Sequence, residues 1–236
     1  MAGLSDSLPP SARRRSVLAG VGAVTGIATL DGVDVVESSD NQTDADIPTP
    51  QETPMNLVTD LEQPDSFPSK LTAVSVAQMN TRKKFEYRQE IPGIILDRML
   101  YSEVRYPGDY GFVPQTSMGD GDPLDVLIML ESSLFPGCIL DVRPVAVIRM
   151  TDAGENDDKI VGVPADDPRF AHIEGKDDLP PHQRDEVAEF FRTYKNLEPD
   201  GNIEVTGFED ETDAKSLLLD AHDRFLDSHE ESCDCD

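Results

Sequence analysis

From Leu71 to Ala165 the chain is a succession of short apolar runs, and only after it do helical periodicities begin. That order constrains the fold more than any other feature. LTAVSVAQM alternates apolar and polar residues, the period of a half-buried strand. KFEYRQEI and GIILDRML meet near Pro92-Gly93, a turn signal, and predict a hairpin. YGFVP, DVLIML, CILDVRPVAVIRM and KIVGVPA read as further strands. Between His182 and Lys195, the residues Val187, Phe190, Phe191 and Tyr194 share one helical face. IEVTGFED returns to strand, and Thr212 to Asp227 predicts a second helix with Ala214, Leu217, Leu218, Ala221 and Phe225 inward. Strands first and helices late argue for an α+β fold with a sheet or small barrel at its centre.

The 236 residues exceed what those elements need. The first thirty residues stand apart: RRRSVLAGVGAVTGIATL sets three arginines before a run of small and apolar residues. The run from Ser16 to Leu30 is too short and too weakly apolar to span a bilayer. Its layout is that of an export signal, and Arg14-Arg15-Ser16-Val17-Leu18 resembles a twin-arginine motif. The alternative is a tail on a cytoplasmic enzyme. Residues 31–69 are rich in Asp, Glu, Ser, Thr, Gln and Pro and read as an acidic, disordered linker. Residues 70–228 form the folded domain, and 229–236 an acidic tail.

Charge narrows the function. Forty-seven acids against twenty basic residues give a net charge of −27. Such a surface repels nucleic acid and anionic membranes. It also opposes anionic substrates unless a metal or a local basic cluster reverses the field. Many acids, few lysines and no tryptophan fit a protein from a salt-accumulating cell. A disordered acidic chain would share that composition but not the apolar periodicity of residues 70–228. Cys138 sits in a strand context and reads as packing, and the terminal Cys233 and Cys235 lack a second ligand pair.

Two acidic clusters follow apolar strands or precede them directly. In DGDPLDV, Asp120, Asp122 and Asp125 cannot comfortably ionise side by side without a cation. A hard cation such as Mg²⁺ takes oxygen ligands and keeps waters and phosphates in its shell. TDAGENDDK offers Asp152, Asp157 and Asp158 after a second long strand, so the two exits can converge on one metal site. The plainer alternative for each is a solvated acidic turn. Lys84, Arg98, Lys159 and Lys195 are four cations in a chain with few, and Tyr106, Tyr110 and Tyr194 are three of its five tyrosines. Metals together with Lys and Arg donors suit a multiply charged phosphate.

KFEY, LDR, RYPGDYGFVP, DGDPLDV, TDAGENDDK and FFRTYKNLE occur in the order and spacing of the family I soluble inorganic pyrophosphatases. The chain resembles that family over about residues 70–228, its archaeal and bacterial branch most. The resemblance implies a five-stranded OB-like β-barrel with flanking α-helices, and Mg²⁺-dependent hydrolysis of pyrophosphate to two phosphates. It implies Asp120, Asp125, Asp152 and Asp157 as ligands of several Mg²⁺ ions, with Asp122 taking the proton of the attacking water. It implies Lys84, Arg98, Tyr110, Lys159, Tyr194 and Lys195 on the phosphates, Tyr110 also serving catalysis, with Glu86 and Tyr106 in the outer part of the site. A homo-hexamer is implied for microbial members. One position departs. Nine residues before Lys84 the family usually carries an active-site glutamate, and Ser75 stands there. A hydroxyl cannot replace that charge, so a degenerate, non-catalytic metal- or phosphate-binding member is the competing expectation.

Overall fold

The computed structural model describes residues 55–199 and 201–233. The signal-like segment and residues 31–54 of the acidic stretch lie outside them. Residues 55–69, which the sequence assigns to a linker, pack onto the domain instead. Val58 is buried, and Leu57 and Leu61 rest against the small cluster of Val74, Val76 and Phe112. The Gln63 amide donates to the Pro114 carbonyl at 2.8 Å and accepts from the Thr72 backbone N–H at 2.9 Å. Phe67 packs against the core cluster under the C-terminal helix, so four apolar residues at irregular spacing seat the segment, a signal that does not show as periodicity.

The strands are β1 (Leu71–Ala77), β2 (Lys83–Arg88), β3 (Gly93–Met99), β4 (Asp109–Phe112), β5 (Asp125–Ile128), β6 (Cys138–Asp152), β7 (Glu155–Asn156), β8 (Lys159–Pro164) and β9 (Ile203–Glu209). The helices are α1 (Pro181–Thr193) and α2 (Glu211–Cys233). Strand pairing runs β1–β4–β5–β8–β6 and returns from β6 to β1, as in an OB-like barrel. Only β5 and β8 are parallel among these pairs. The 15-residue β6 also carries β7 and β9. Its register shifts between Pro144 and Ala146, where a proline would otherwise remove a ladder bond. Strands β2 and β3 form a separate hairpin, as the Pro92-Gly93 signal predicts.

Adjacent residues on one strand face different cores. Leu127 and Val161 join the cluster under Val187, Phe190 and Phe191 of α1. Val126, Ile128 and Ile160 join the cluster under Ala214, Leu217, Leu218 and Ala221 of α2. Strands covered on both faces need continuous apolar runs, which is why DVLI and KIVGV do not alternate. The two cores fix both ends of β5 and β8, and with them the acids at their N-terminal ends. Helix α2 begins one residue before the predicted boundary and runs on to Cys233, since SHEE contains no breaker.

Candidate active site

Asp125 opens β5 and Lys159 opens β8, and the parallel pairing of these strands sets the two side by side. The acidic turn before β5 is pinned from both directions. The Asp122 backbone N–H donates to the Asp120 carboxylate at 3.0 Å, and its carbonyl accepts from Met118 at 2.8 Å. Behind the turn, the buried Thr116 hydroxyl donates to Val113 and accepts from the Leu124 N–H. Ser117 N–H donates to the Ala221 carbonyl of α2 at 2.8 Å. The proline of DGDPLDV thus sits in a turn held by both barrel and helix.

A cavity of about 630 Å³ opens over these strand ends. Asp120, Asp122 and Asp125 line it from the turn that enters β5, and Asp152, Asp157 and Asp158 from the segment between the end of β6 and the start of β8. Lys84, Glu86, Tyr110, Lys159, Tyr194, Lys195 and Glu198 also line it. Of the site residues that the resemblance implies, Arg98 and Tyr106 do not line it. Tyr106 is a core residue: its ring lies 5.5 Å from that of Tyr110 and 5.0 Å from that of Phe190. Arg98 lies behind Glu198, a residue the sequence reading did not single out although it belongs to the FFRTYKNLE stretch. Asp158 is structural, accepting from Arg149 Nη1 at 2.6 Å and from the Met150 N–H at 3.0 Å.

Every cation of the cavity is paired with a carboxylate. Lys159 is 2% exposed, and its ammonium donates to Asp125 at 2.7 Å and to Asp157 at 2.6 Å. Burial opposes its charge, but the two carboxylates outweigh burial and hold its pKa above the ordinary value. Lys195 pairs with Asp152, and Lys84 with Glu86 at 2.5 Å and Asp97 at 3.3 Å. Lys84 and Arg98 stand directly opposite on the hairpin, a repulsive arrangement that Asp97 offsets by pairing with both. The register shift between Lys84 and Phe85 lies at this edge of the site.

The acids and phenols respond to the same field. Burial raises the Asp122 pKa, and the neighbouring Asp120 and Asp125 charges add to it. Burial also raises Asp157, against the opposing pull of Lys159. Tyr110 is pushed well above its ordinary value by burial and by Asp125, and Tyr194 upward by burial and Asp157. Both phenols therefore stay protonated, and Tyr110 donates to Asp125 Oδ2 at 2.5 Å. Tyr110 keeps its place because β4 approaches β1 closely: a Cβ on Gly111 would lie 1.9 Å from the Val74 carbonyl oxygen.

Ser75 corrects the sequence reading. It is 0% exposed and does not line the cavity. Its hydroxyl donates to Asp109 at 3.2 Å, and the Asp109 carboxylate also accepts from the Met79 and Leu134 N–H groups, each at 2.7 Å. A register shift between Ser75 and Ala77 sets the facing of this strand end, where Val76 lines the cavity. The missing charge at position 75 is therefore not a gap in the cavity wall.

The donor set at the cavity is carboxylate oxygen, with no histidine or cysteine among the described lining residues, and this suits a hard divalent cation. Asp125 and Asp157 already share one cation, the Lys159 ammonium. Among the described residues no three acids are closed around one point.

Carboxylates at strand ends are interleaved with lysines and protonated tyrosines in one open cavity, a donor set that suits hard cations and anionic oxygens. The family model of inorganic pyrophosphatase matches residues 73–226. An inorganic pyrophosphatase of Haloferax volcanii is 47% identical over 171 residues, covering 72% of this chain and 97% of the relative. One of Halobacterium salinarum is 48% identical over 170 residues, covering 72% and 96%. The crystal structure of inorganic pyrophosphatase from Thermus thermophilus superposes with a TM-score of 0.71 at 36% identity, covering 73% of this chain and 99% of that one. The chain belongs to the inorganic pyrophosphatase family.

Proposed function

We propose that this chain hydrolyses inorganic pyrophosphate to two orthophosphates, with Mg²⁺ held by Asp120, Asp125, Asp152 and Asp157. One observation carries the reading: six aspartates, from the turn that enters β5 and from the end of β6 to the start of β8, meet three lysines and three tyrosines in a single cavity. Bound Mg²⁺ would supply Lewis-acid polarisation of the phosphoryl oxygens and a lowered pKa for attacking water. The chain's own groups do the rest. Asp122, whose proton affinity is raised by burial and by its acidic neighbours, takes the proton as water adds to phosphorus. The P–O–P bond breaks, and Lys84, Lys159 and Lys195 bear the charge that builds on the leaving phosphate. Tyr110 holds Asp125 in orientation through its hydroxyl and donates without ionising. Tyr194 is kept as a protonated donor in the same way, with Lys195 beside it. Glu86 holds Lys84 at the outer edge.

The acid excess supports work in molar KCl, where the protein's self-repulsion is screened. Export through the arginine-rich N-terminus and a cytoplasmic location are separated by the location of an Arg14→Lys, Arg15→Lys variant. A hexamer is expected, and mass measurement in high salt reads it. No helix among the described residues is long and apolar enough to cross a membrane. Phosphate release from pyrophosphate in molar KCl tests the function: Mg²⁺ should support it and EDTA abolish it, and release unaffected by EDTA would refute the metal-assisted reading.

A further inference from the structure

Arg98 is the one cation of the proposed phosphate-binding set that the cavity does not reach. Glu198 stands between. Arg98 Nε donates to Glu198 Oε1 at 3.0 Å, and Nη2 donates to Oε2 at 2.8 Å. This two-point fork is the geometry a guanidinium offers a phosphate. The pair is shielded, with the side chains 23% and 14% exposed, yet Glu198 itself lines the cavity. Glu198 is also firmly placed. Its N–H donates to the Lys195 carbonyl at 2.8 Å, and its own carbonyl accepts from Gly201 at 3.2 Å. A Cβ at Gly201 would meet the Lys195 carbonyl oxygen at 1.9 Å, so only glycine closes this turn. One short turn therefore presents Tyr194 and Lys195, which face the substrate space, and Glu198, which occupies the guanidinium across it.

We propose that Glu198 is a built-in anion that holds Arg98 when the cavity is empty and must release it before a phosphate group can bind there. The proposal rests on the pyrophosphate reading for Arg98's role. Substrate affinity then contains the cost of separating Arg98 from Glu198. Orthophosphate product is released against the same competitor, because the carboxylate returns to the fork as phosphate leaves. Glu198 touches no reacting atom, so it is a positioning residue. Its removal should tighten binding rather than weaken it.

The test is Glu198→Gln, which keeps size and removes charge. The KM for pyrophosphate and the dissociation constant of orthophosphate, read by calorimetry, should both fall by roughly threefold to tenfold, with kcat unchanged or lower. Both should be unchanged from Arg98→Gln in the double variant Arg98→Gln, Glu198→Gln, since no fork is left to free. Glu198→Asp keeps the charge but is a methylene too short for the two-point fork, and should tighten binding to a smaller extent. Unchanged or raised constants in a folded Glu198→Gln protein would overturn the proposal. So would an Arg98→Gln variant with unaltered orthophosphate affinity. Calorimetry with orthophosphate needs no turnover, so a protein that binds as described but fails to hydrolyse pyrophosphate would sink the proposed reaction and leave the Glu198 result standing.

Discussion

Replacing Ser75 by glutamate restores the residue usual in the family, and it should damage this protein. Ser75 and Asp109 are both 0% exposed and in hydrogen-bond contact at 3.2 Å. The change removes a donor to a buried carboxylate and places a second carboxylate against it. At about 4 Å and an effective dielectric constant of about 20, two like charges repel by about 4 kcal/mol. One group can escape by taking a proton, but neutralising a carboxyl group at neutral pH costs a similar amount. Crowding by the longer side chain in a filled position adds about 1 kcal/mol at the least. A total near 5 kcal/mol is a large part of the ~5–15 kcal/mol that a domain holds. At about 2–4 °C per kcal/mol for a domain of this size, the unfolding midpoint should drop by roughly 10–20 °C. Thermal unfolding followed by circular dichroism in molar KCl reads this directly. The rate of phosphate release per folded molecule should not rise. An undiminished midpoint together with faster release or tighter Mg²⁺ binding would refute the reasoning, because position 75 would then face the cavity.

Two further outcomes follow from individual contacts. Tyr110→Phe removes the hydroxyl donated to Asp125 and leaves Lys159 as that carboxylate's remaining side-chain partner in the cavity; kcat should fall roughly tenfold to a hundredfold, and steady-state kinetics with unchanged kcat would contradict its role. The Asp178 carboxylate accepts from the Glu174 and Gly175 N–H groups at 2.9 and 3.0 Å, which holds its pKa below the ordinary 3.8. A depressed carboxyl stabilises the fold above its unfolded value and loses that contribution as pH falls through the folded one. Asp178→Asn should therefore lower the unfolding midpoint at neutral pH, with the gap closing in acid; a gap that widens in acid would reverse the sign.

Much of the cavity was legible because its acids and cations sit at strand ends, and strand ends are visible as the edges of apolar runs. Asp125 and Lys159 illustrate this: each is the first residue of a buried strand, and parallel pairing does the rest. Two kinds of feature were hidden. The facing of Ser75 depends on a register shift near the end of β1, and a local irregularity leaves the alternation of side chains ambiguous. Arg98 and Glu198 lie 100 residues apart, and only the closed fold shows that one covers the other. The seating of residues 55–69 was masked for a different reason. Leu57, Val58, Leu61 and Phe67 do the packing, and their spacing follows neither a helical nor a strand period.

The most direct measurement compares phosphate release from pyrophosphate by the natural chain and by Asp122→Asn, both with Mg²⁺ in molar KCl. The account predicts Mg²⁺-dependent release by the natural chain and a fall of roughly a hundredfold or more in kcat for the variant, since the proton acceptor is gone. Equal kcat in the two proteins would contradict it, whatever the fold resembles.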